Sequence, residues 1–178
     1  MAIITRREIT EALERLGQLA ETRGEKLELA LIGGALMVLV YGTRQSTRDV
    51  DAVTLAPPDA RLVRDLVNVV AEERGWPEDW LNDGAKGYLV GLSSGPVIFR
   101  APGIEVRSPS VAQLLAMKLS AWRDDVDIAD ARRLLQELGE GQGRETTWES
   151  VRLFLVPGSE LKAQYAFLDL WESLYGDA

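Results

Sequence analysis

Apolar residues recur at helical spacing between Arg6 and Arg23, where Ile9, Ala12, Leu13, Leu16, Leu19 and Ala20 share one face. Thr5 stands where an N-cap belongs and Gly24 where a helix stops, so an amphipathic first helix is predicted. The period then changes. Leu27-Glu28-Leu29-Ala30-Leu31-Ile32 reads as a short strand ending at Gly33-Gly34, followed by a helix from Ala35 to Tyr41 that Gly42 closes. That helix is apolar almost all round, which predicts burial. After the polar stretch Thr43 to Arg48, the β-branched segment Asp49 to Leu55 predicts a central strand, and Pro57-Pro58 leads into a helix from Asp59 to about Arg74.

Trp76 to Gly95 shows no period and mixes Pro, Asn, Asp and Gly with aromatic residues; part of it reads as a lid. Val97-Ile98-Phe99-Arg100 and Ile104-Glu105-Val106-Arg107, separated by Ala-Pro-Gly, read as an antiparallel hairpin extending the sheet. From Ser108 the pattern is helical, over Ser110 to Trp122, Val126 to Leu138, Trp148 to Leu155 and Ser159 to Tyr175. The expectation is an α+β protein: a small mixed or antiparallel sheet flanked by helices in residues 1–107, then a C-terminal helical bundle, 108–178, packed on that core.

Composition narrows the chemistry. A chain of 178 residues with 46% hydrophobic and 27% charged residues can build a proper core and is not a disordered tail. It contains neither cysteine nor histidine. Disulfides, thiolate zinc sites, cysteine nucleophiles and imidazole chemistry are therefore excluded, which leaves carboxylates, lysine, tyrosine, hydroxyls and hard oxygen-ligated metals. The net charge of -8 repels nucleic acid unless cations gather on one face, and it favours a small substrate. The N-terminal residues show no signal-peptide pattern, and the longest apolar run, Leu29 to Val40, is too short to span a bilayer. No membrane partner and a cytoplasmic location are expected.

Two features carry chemistry. Gly33-Gly34 at a strand-to-helix junction lets backbone approach an anion such as a triphosphate, although a plain tight turn explains such a pair equally well. In Asp49-Val50-Asp51, the period of two puts both carboxylates on one face of a strand. Such a pair suits a magnesium ion. Alone it also describes two solvated acids at a strand edge. Arg44, Ser46, Thr47 and Arg48 place cations and hydroxyls beside the acids, as triphosphate chemistry requires.

The run Leu31-Ile32-Gly33-Gly34-Ala35-Leu36, followed by Tyr41-Gly42-Thr43-Arg44-Gln45-Ser46-Thr47-Arg48-Asp49-Val50-Asp51, resembles the signature of the DNA polymerase β-like nucleotidyltransferase superfamily. The match is tight from Leu27 to Leu55. The resemblance implies a nucleotidyltransferase sheet in which Gly33 and Gly34 hold nucleotide phosphates, while Asp49 and Asp51 bind two magnesium ions, with manganese as a substitute. Many members carry Ser at the second position of the turn. Gly34 has no hydroxyl, which Ser46 could replace. The family's frequent third acid maps best to Glu105, as metal ligand and catalytic residue; a solvent-facing acid paired with Arg107 or Arg100 accounts for it equally well.

Lys118 lies among Leu114, Leu115, Ala121 and Trp122 at helical spacing, which puts its amine on an apolar face. It either snorkels to the rim or reaches toward acids and phosphates. Asp127 and Asp130 share one side of the next helix with Leu134 and could position Lys118 or cap the helix. This block is similar to the AbiEii-like toxins, a bacterial branch of the superfamily. The looser likeness implies Lys118 and Asp127 as site residues with Asp130 supporting, and a toxin-antitoxin setting with an antitoxin-like partner. The five tryptophans read as packing residues, with base stacking open to Trp76 or Trp80.

Together these features predict a magnesium-dependent enzyme that moves an NMP from an NTP to an acceptor hydroxyl and releases pyrophosphate. The acceptor stays open between a tRNA end, a protein hydroxyl and an antibiotic-like small molecule. The rivals are a non-catalytic nucleotide- or partner-binding module on the same fold and, less well supported, a metal-dependent phosphodiesterase.

Overall fold

The computed structural model describes residues 2–122 and 125–177, without the side chains of residues 125 and 126. The chain is a mixed α+β protein that divides into two compact units. The first comprises Met1–Lys86 with Gly95–Ser108, and the second Gly87–Ser94 with Pro109–Ala178. The boundary thus falls one residue after the expected one, and a stretch of the irregular region joins the helical unit. Among the described residues no helix is long and apolar enough to cross a membrane.

In the first unit, α1 (Arg6–Thr22) begins at Thr5 as expected. The Thr5 hydroxyl accepts from the Glu8 amide, and the Glu8 carboxylate accepts from the Thr5 amide at 2.8 Å, which satisfies two N-terminal donors reciprocally. Its buried face is Ile9, Ala12, Leu13, Leu16, Gly17 and Ala20. The Asp59 carboxylate caps α3 (Ala60–Arg74) by accepting from the Arg61 and Leu62 amides, and left-handed Gly75 stops it.

Five strands form a mixed sheet in the order β5 (Leu81–Asn82), β4 (Val50–Ala56), β2 (Leu27–Ile32), β7 (Ile104–Arg107) and β6 (Val97–Ala101). β4 runs antiparallel to β2, β7 runs parallel to it, and the β6–β7 hairpin forms as expected. β5 joins β4 in parallel through the pairs Val50 with Leu81 and Asp51 with Asn82. A separate two-stranded ribbon pairs β1 (Ile4–Thr5) with β3 (Ser46–Thr47). Three of these strands are two residues long, too short to show alternation in the sequence.

β2 ends in a helical run that starts two residues earlier than expected, at Gly33. α2 (Gly33–Leu36) continues as a π-helical turn, Met37–Tyr41, closed by Gly42 in the left-handed region. Ala35 to Leu39 are buried, as their apolar character requires, while Val40 is exposed. Trp80 is 1% exposed; its indole donates to the Val67 carbonyl at 3.0 Å, and its ring meets Trp76 edge-on at 5.3 Å. Base stacking on Trp80 is thereby withdrawn, since its faces are in the core. The Arg74 guanidinium lies over the Trp76 ring at 5.0 Å.

The second unit holds α4 (Val111–Ala121), α5 (Asp125–Gly139), α6 (Arg144–Arg152) and α7 (Glu160–Tyr175). An aromatic series, Trp148, Phe167, Trp171 and Tyr175, runs through it with ring separations of 4.5–5.9 Å. The segment Gly87–Ser94 is fastened here by one side chain, the fully buried Gln113. Its amide oxygen accepts from the Ser93 amide at 2.7 Å and the Ser93 hydroxyl at 2.6 Å, and its nitrogen donates to the Gly91 carbonyl at 3.0 Å. Those bonds replace the periodic apolar contacts the segment lacks.

Candidate active site

Pairing of Ile32 with Asp51 at the end of β2 brings the Gly33-Gly34 turn against the start of β4. Gly33 has φ +71, and a Cβ there would stand 2.7 Å from Asp51 Oδ2. A Cβ on Gly34 would stand 2.8 Å from Arg44 Nη1 and 3.1 Å from the Thr47 hydroxyl. Gly33 is therefore required by its left-handed backbone and its contact with Asp51, and Gly34 by the close approach of Arg44 and Thr47. The hydroxyl beside Gly34 belongs to Thr47, where the sequence pointed to Ser46. Ser46 pairs with Thr5 in the small ribbon, and Arg48 is exposed.

Thr47 also donates to the Asp49 carbonyl at 3.0 Å, which ties the loop to the strand. The Asp49 carboxylate is held from the other side, where Asn82 Nδ2 donates to Oδ2 at 3.1 Å. Asn82 was not foreseen. The available signal was Asn82-Asp83-Gly84, a turn sequence whose Asn side chain commonly bonds backbone nearby.

Glu105 is not brought to the pair. It occupies the same face of the sheet as Asp51, as alternation demanded, because its partner Glu28 and Asp51's partner Ile32 lie an even number of residues apart on β2. The register nevertheless separates them by on the order of 13 Å along the strands and about 10 Å across them. Glu105 is 7% exposed and is claimed by cations: Arg107 at 2.8 Å, Arg100 at 3.1 Å and Lys26 at 3.8 Å. Its expected place as third metal ligand and proton acceptor is corrected to a structural ion cluster. Among the described residues, no three acids gather where a metal could sit.

Burial pushes the Glu105 pKa up, but the Arg100 hydrogen bond and the charges of Arg100, Lys26 and Arg107 outweigh it, so the net direction is down. A depressed folded value means that its stabilisation is present above the unfolded pKa and is lost as pH falls through the folded one. Urea denaturation over a pH series should therefore show Glu105→Gln least stable relative to wild type at neutral pH. The gap should close below about pH 4.

No family model matches the chain, and no curated protein or solved structure matches it. The functional reading accordingly rests on the geometry of the turn and the acids.

In the helical unit, Lys118 is paired with two acids of α5, at 3.2 Å to Asp127 and 2.8 Å to Asp130. The lysine side chain is 12% exposed, Asp127 4% and Asp130 0%. The sequence reading that these acids position the lysine describes the arrangement.

The donor set suits a divalent cation and a phosphate. Asp49 and Asp51 are hard oxygen donors on either side of Val50, the first residue of β4, so Asp49 lies just before the strand that was expected to hold both acids, and Arg44 stands beside the turn. Gly33→Ala should lower stability by about 1–2 kcal/mol through the left-handed backbone, and should also displace the Asp51 carboxylate. Urea melts would read the first effect, and calorimetric titration with ATP and magnesium the second, as lost binding.

Proposed function

We propose that the first unit is a magnesium-dependent nucleotidyltransferase, which joins the α-phosphate of an NTP to an acceptor hydroxyl and releases pyrophosphate. The observation that carries this reading is the contact between the Gly33-Gly34 turn and its polar neighbours: Asp51 against Gly33, and Arg44 and Thr47 against Gly34. These contacts gather a carboxylate, a guanidinium and a hydroxyl at one turn, the groups that a metal-bound triphosphate uses. Magnesium bound by Asp49 and Asp51 would offset the triphosphate charge and stabilise the attacking and leaving oxygens.

The chain's own part follows. Arg44 draws the phosphates to the turn, and Thr47 holds Asp49's backbone where the chain enters β4. As the acceptor oxygen bonds to the α-phosphorus, the bond from that phosphorus to the bridging oxygen breaks and the electron pair departs with pyrophosphate. The acceptor proton passes to the Asp51 carboxylate, the acid nearest the turn. Glu105 takes no part, its oxygens being engaged by arginine and lysine. Lys118 and Asp127 belong to the helical unit and are paired with each other at 3.2 Å, and a variant that neutralises the cluster tests whether transfer needs them.

Incubating the purified protein with labelled NTPs, magnesium and cell extract tests the reading directly. A labelled product together with released pyrophosphate is the expected result, and the labelled molecule identifies the acceptor as RNA, protein or small molecule. One observation favours a second reading, a nucleotide-binding module without turnover: the expected third acid is held in an ion cluster. Calorimetry showing ATP binding, with no pyrophosphate from any acceptor, would select it.

A further inference from the structure

Asn82 lies on β5 opposite Asp51, and its side-chain amide is fixed at every atom that can hydrogen-bond. Nδ2 donates to Asp49 Oδ2 and to the Asp79 carbonyl, both at 3.1 Å, and Oδ1 accepts from the Gly84 amide at 2.8 Å. The partners themselves settle which end is oxygen, because a carboxylate and a carbonyl only accept here while a backbone N–H only donates. Gly84 completes the arrangement. A Cβ there would stand 2.9 Å from Asn82 Oδ1, and everything else it would meet within 4 Å belongs to Asn82 too.

We propose that Asn82 is a positioning residue, which fixes the rotation of the Asp49 carboxylate by engaging Oδ2 and so offers Oδ1 to a divalent cation, and that Gly84 lacks a side chain to let it do so. The proposal rests on reading Asp49 and Asp51 as the cation-holding pair. A free carboxylate rotates about its last bond, and a cation must freeze that rotation on binding; a carboxylate already held at one oxygen has lost it beforehand. Asn82 reaches no substrate and supplies no proton. Its effect passes through Asp49, as outer partners of metal ligands do.

The test reads cation binding without turnover. Manganese is titrated into the full chain and free Mn2+ is followed by electron paramagnetic resonance, for wild type, Asp49→Ala, Asn82→Ala and Gly84→Ala. Wild type is expected to bind and Asp49→Ala to lose binding. Asn82→Ala should weaken it by roughly 10-fold or more. Gly84→Ala leaves the acids and the Asn82 side chain chemically unchanged, yet its methyl group drives the Asn82 oxygen aside, so it should weaken binding several-fold with little change in melting temperature. That variant decides the matter if Asn82→Ala fails to fold. Wild-type affinity in both Asn82→Ala and Gly84→Ala, with binding lost in Asp49→Ala, would overturn the positioning role alone. Absence of binding in wild type, or equal binding in Asp49→Ala, would overturn the cation pair itself and the positioning role with it.

Discussion

Asp51→Asn is expected to abolish pyrophosphate release, by roughly 1,000-fold or more, while the protein stays folded. The change keeps the size of the side chain and its place opposite Ile32, so circular dichroism and the melting temperature should move little. What it removes is negative charge at the Oδ2 position facing Gly33. An amide is a poor ligand for a hard cation and a poor proton acceptor, so the reaction loses charge stabilisation and its base together. Charge stabilisation at a developing phosphate is worth several kcal/mol, and each 1.36 kcal/mol is about tenfold in rate. Asp49→Ala should have a loss of the same order. Pyrophosphate release measured with the acceptor labelled from extract checks both, and full activity in either variant would end the nucleotidyltransferase reading.

Lys118→Met should destabilise the helical unit by about 3–5 kcal/mol, the usual cost of removing one partner from a buried ion pair. The substitution preserves volume and hydrophobic contact, so the loss comes from the acids left behind. Asp130 is 0% exposed and Asp127 4%, so both acids lose a close cation in a poorly solvated place. Thermal denaturation should show a fall of roughly 10 °C, from about 2–4 °C per kcal/mol for a chain of this size. Neutralising all three groups together, as Lys118→Met with Asp127→Asn and Asp130→Asn, should recover most of that stability. The triple variant also separates structure from chemistry. If nucleotidyl transfer returns along with stability, the cluster only holds α4 to α5; if stability returns and transfer does not, Lys118 serves the reaction.

Most elements with a clear period were legible in the sequence. β2 was bounded to the residue, α1 was found with its cap, and the β6–β7 hairpin was placed correctly, because alternation, helical spacing and turn residues are local properties. β1, β3 and β5 escaped notice because two residues carry no period and exist as strands only through their partners. The helical start at Gly33 was set two residues late, since glycine is a poor helix former and left-handed Gly33 owes its place to Asp51 behind it.

The candidate site divides along the same line. Gly33, Gly34, Asp49 and Asp51 were visible because each is defined by neighbours in the chain, and Lys118 with Asp127 and Asp130 because helical spacing exposed a cation on an apolar face. Glu105 was assigned to the correct face and to the wrong place on it. Alternation gives facing, whereas register depends on which strands meet and where, and it is set by contacts far apart in sequence. Thr47 in place of Ser46, and Asn82 behind Asp49, are decided by the same long-range contacts.

By itself, then, the sequence determined the α+β class, the absence of histidine and cysteine that confines any chemistry here to other groups, and the nearness of Asp49 and Asp51 in the chain. Only the tertiary structure decided that the glycine turn meets Asp51 and Arg44, that Glu105 belongs to a cluster of cations, and that an asparagine on the two-residue strand β5 holds Asp49. Local pattern dictates which way a side chain faces. Which side chain it meets depends on strand register and on loops without a period, and these are settled when distant segments pack.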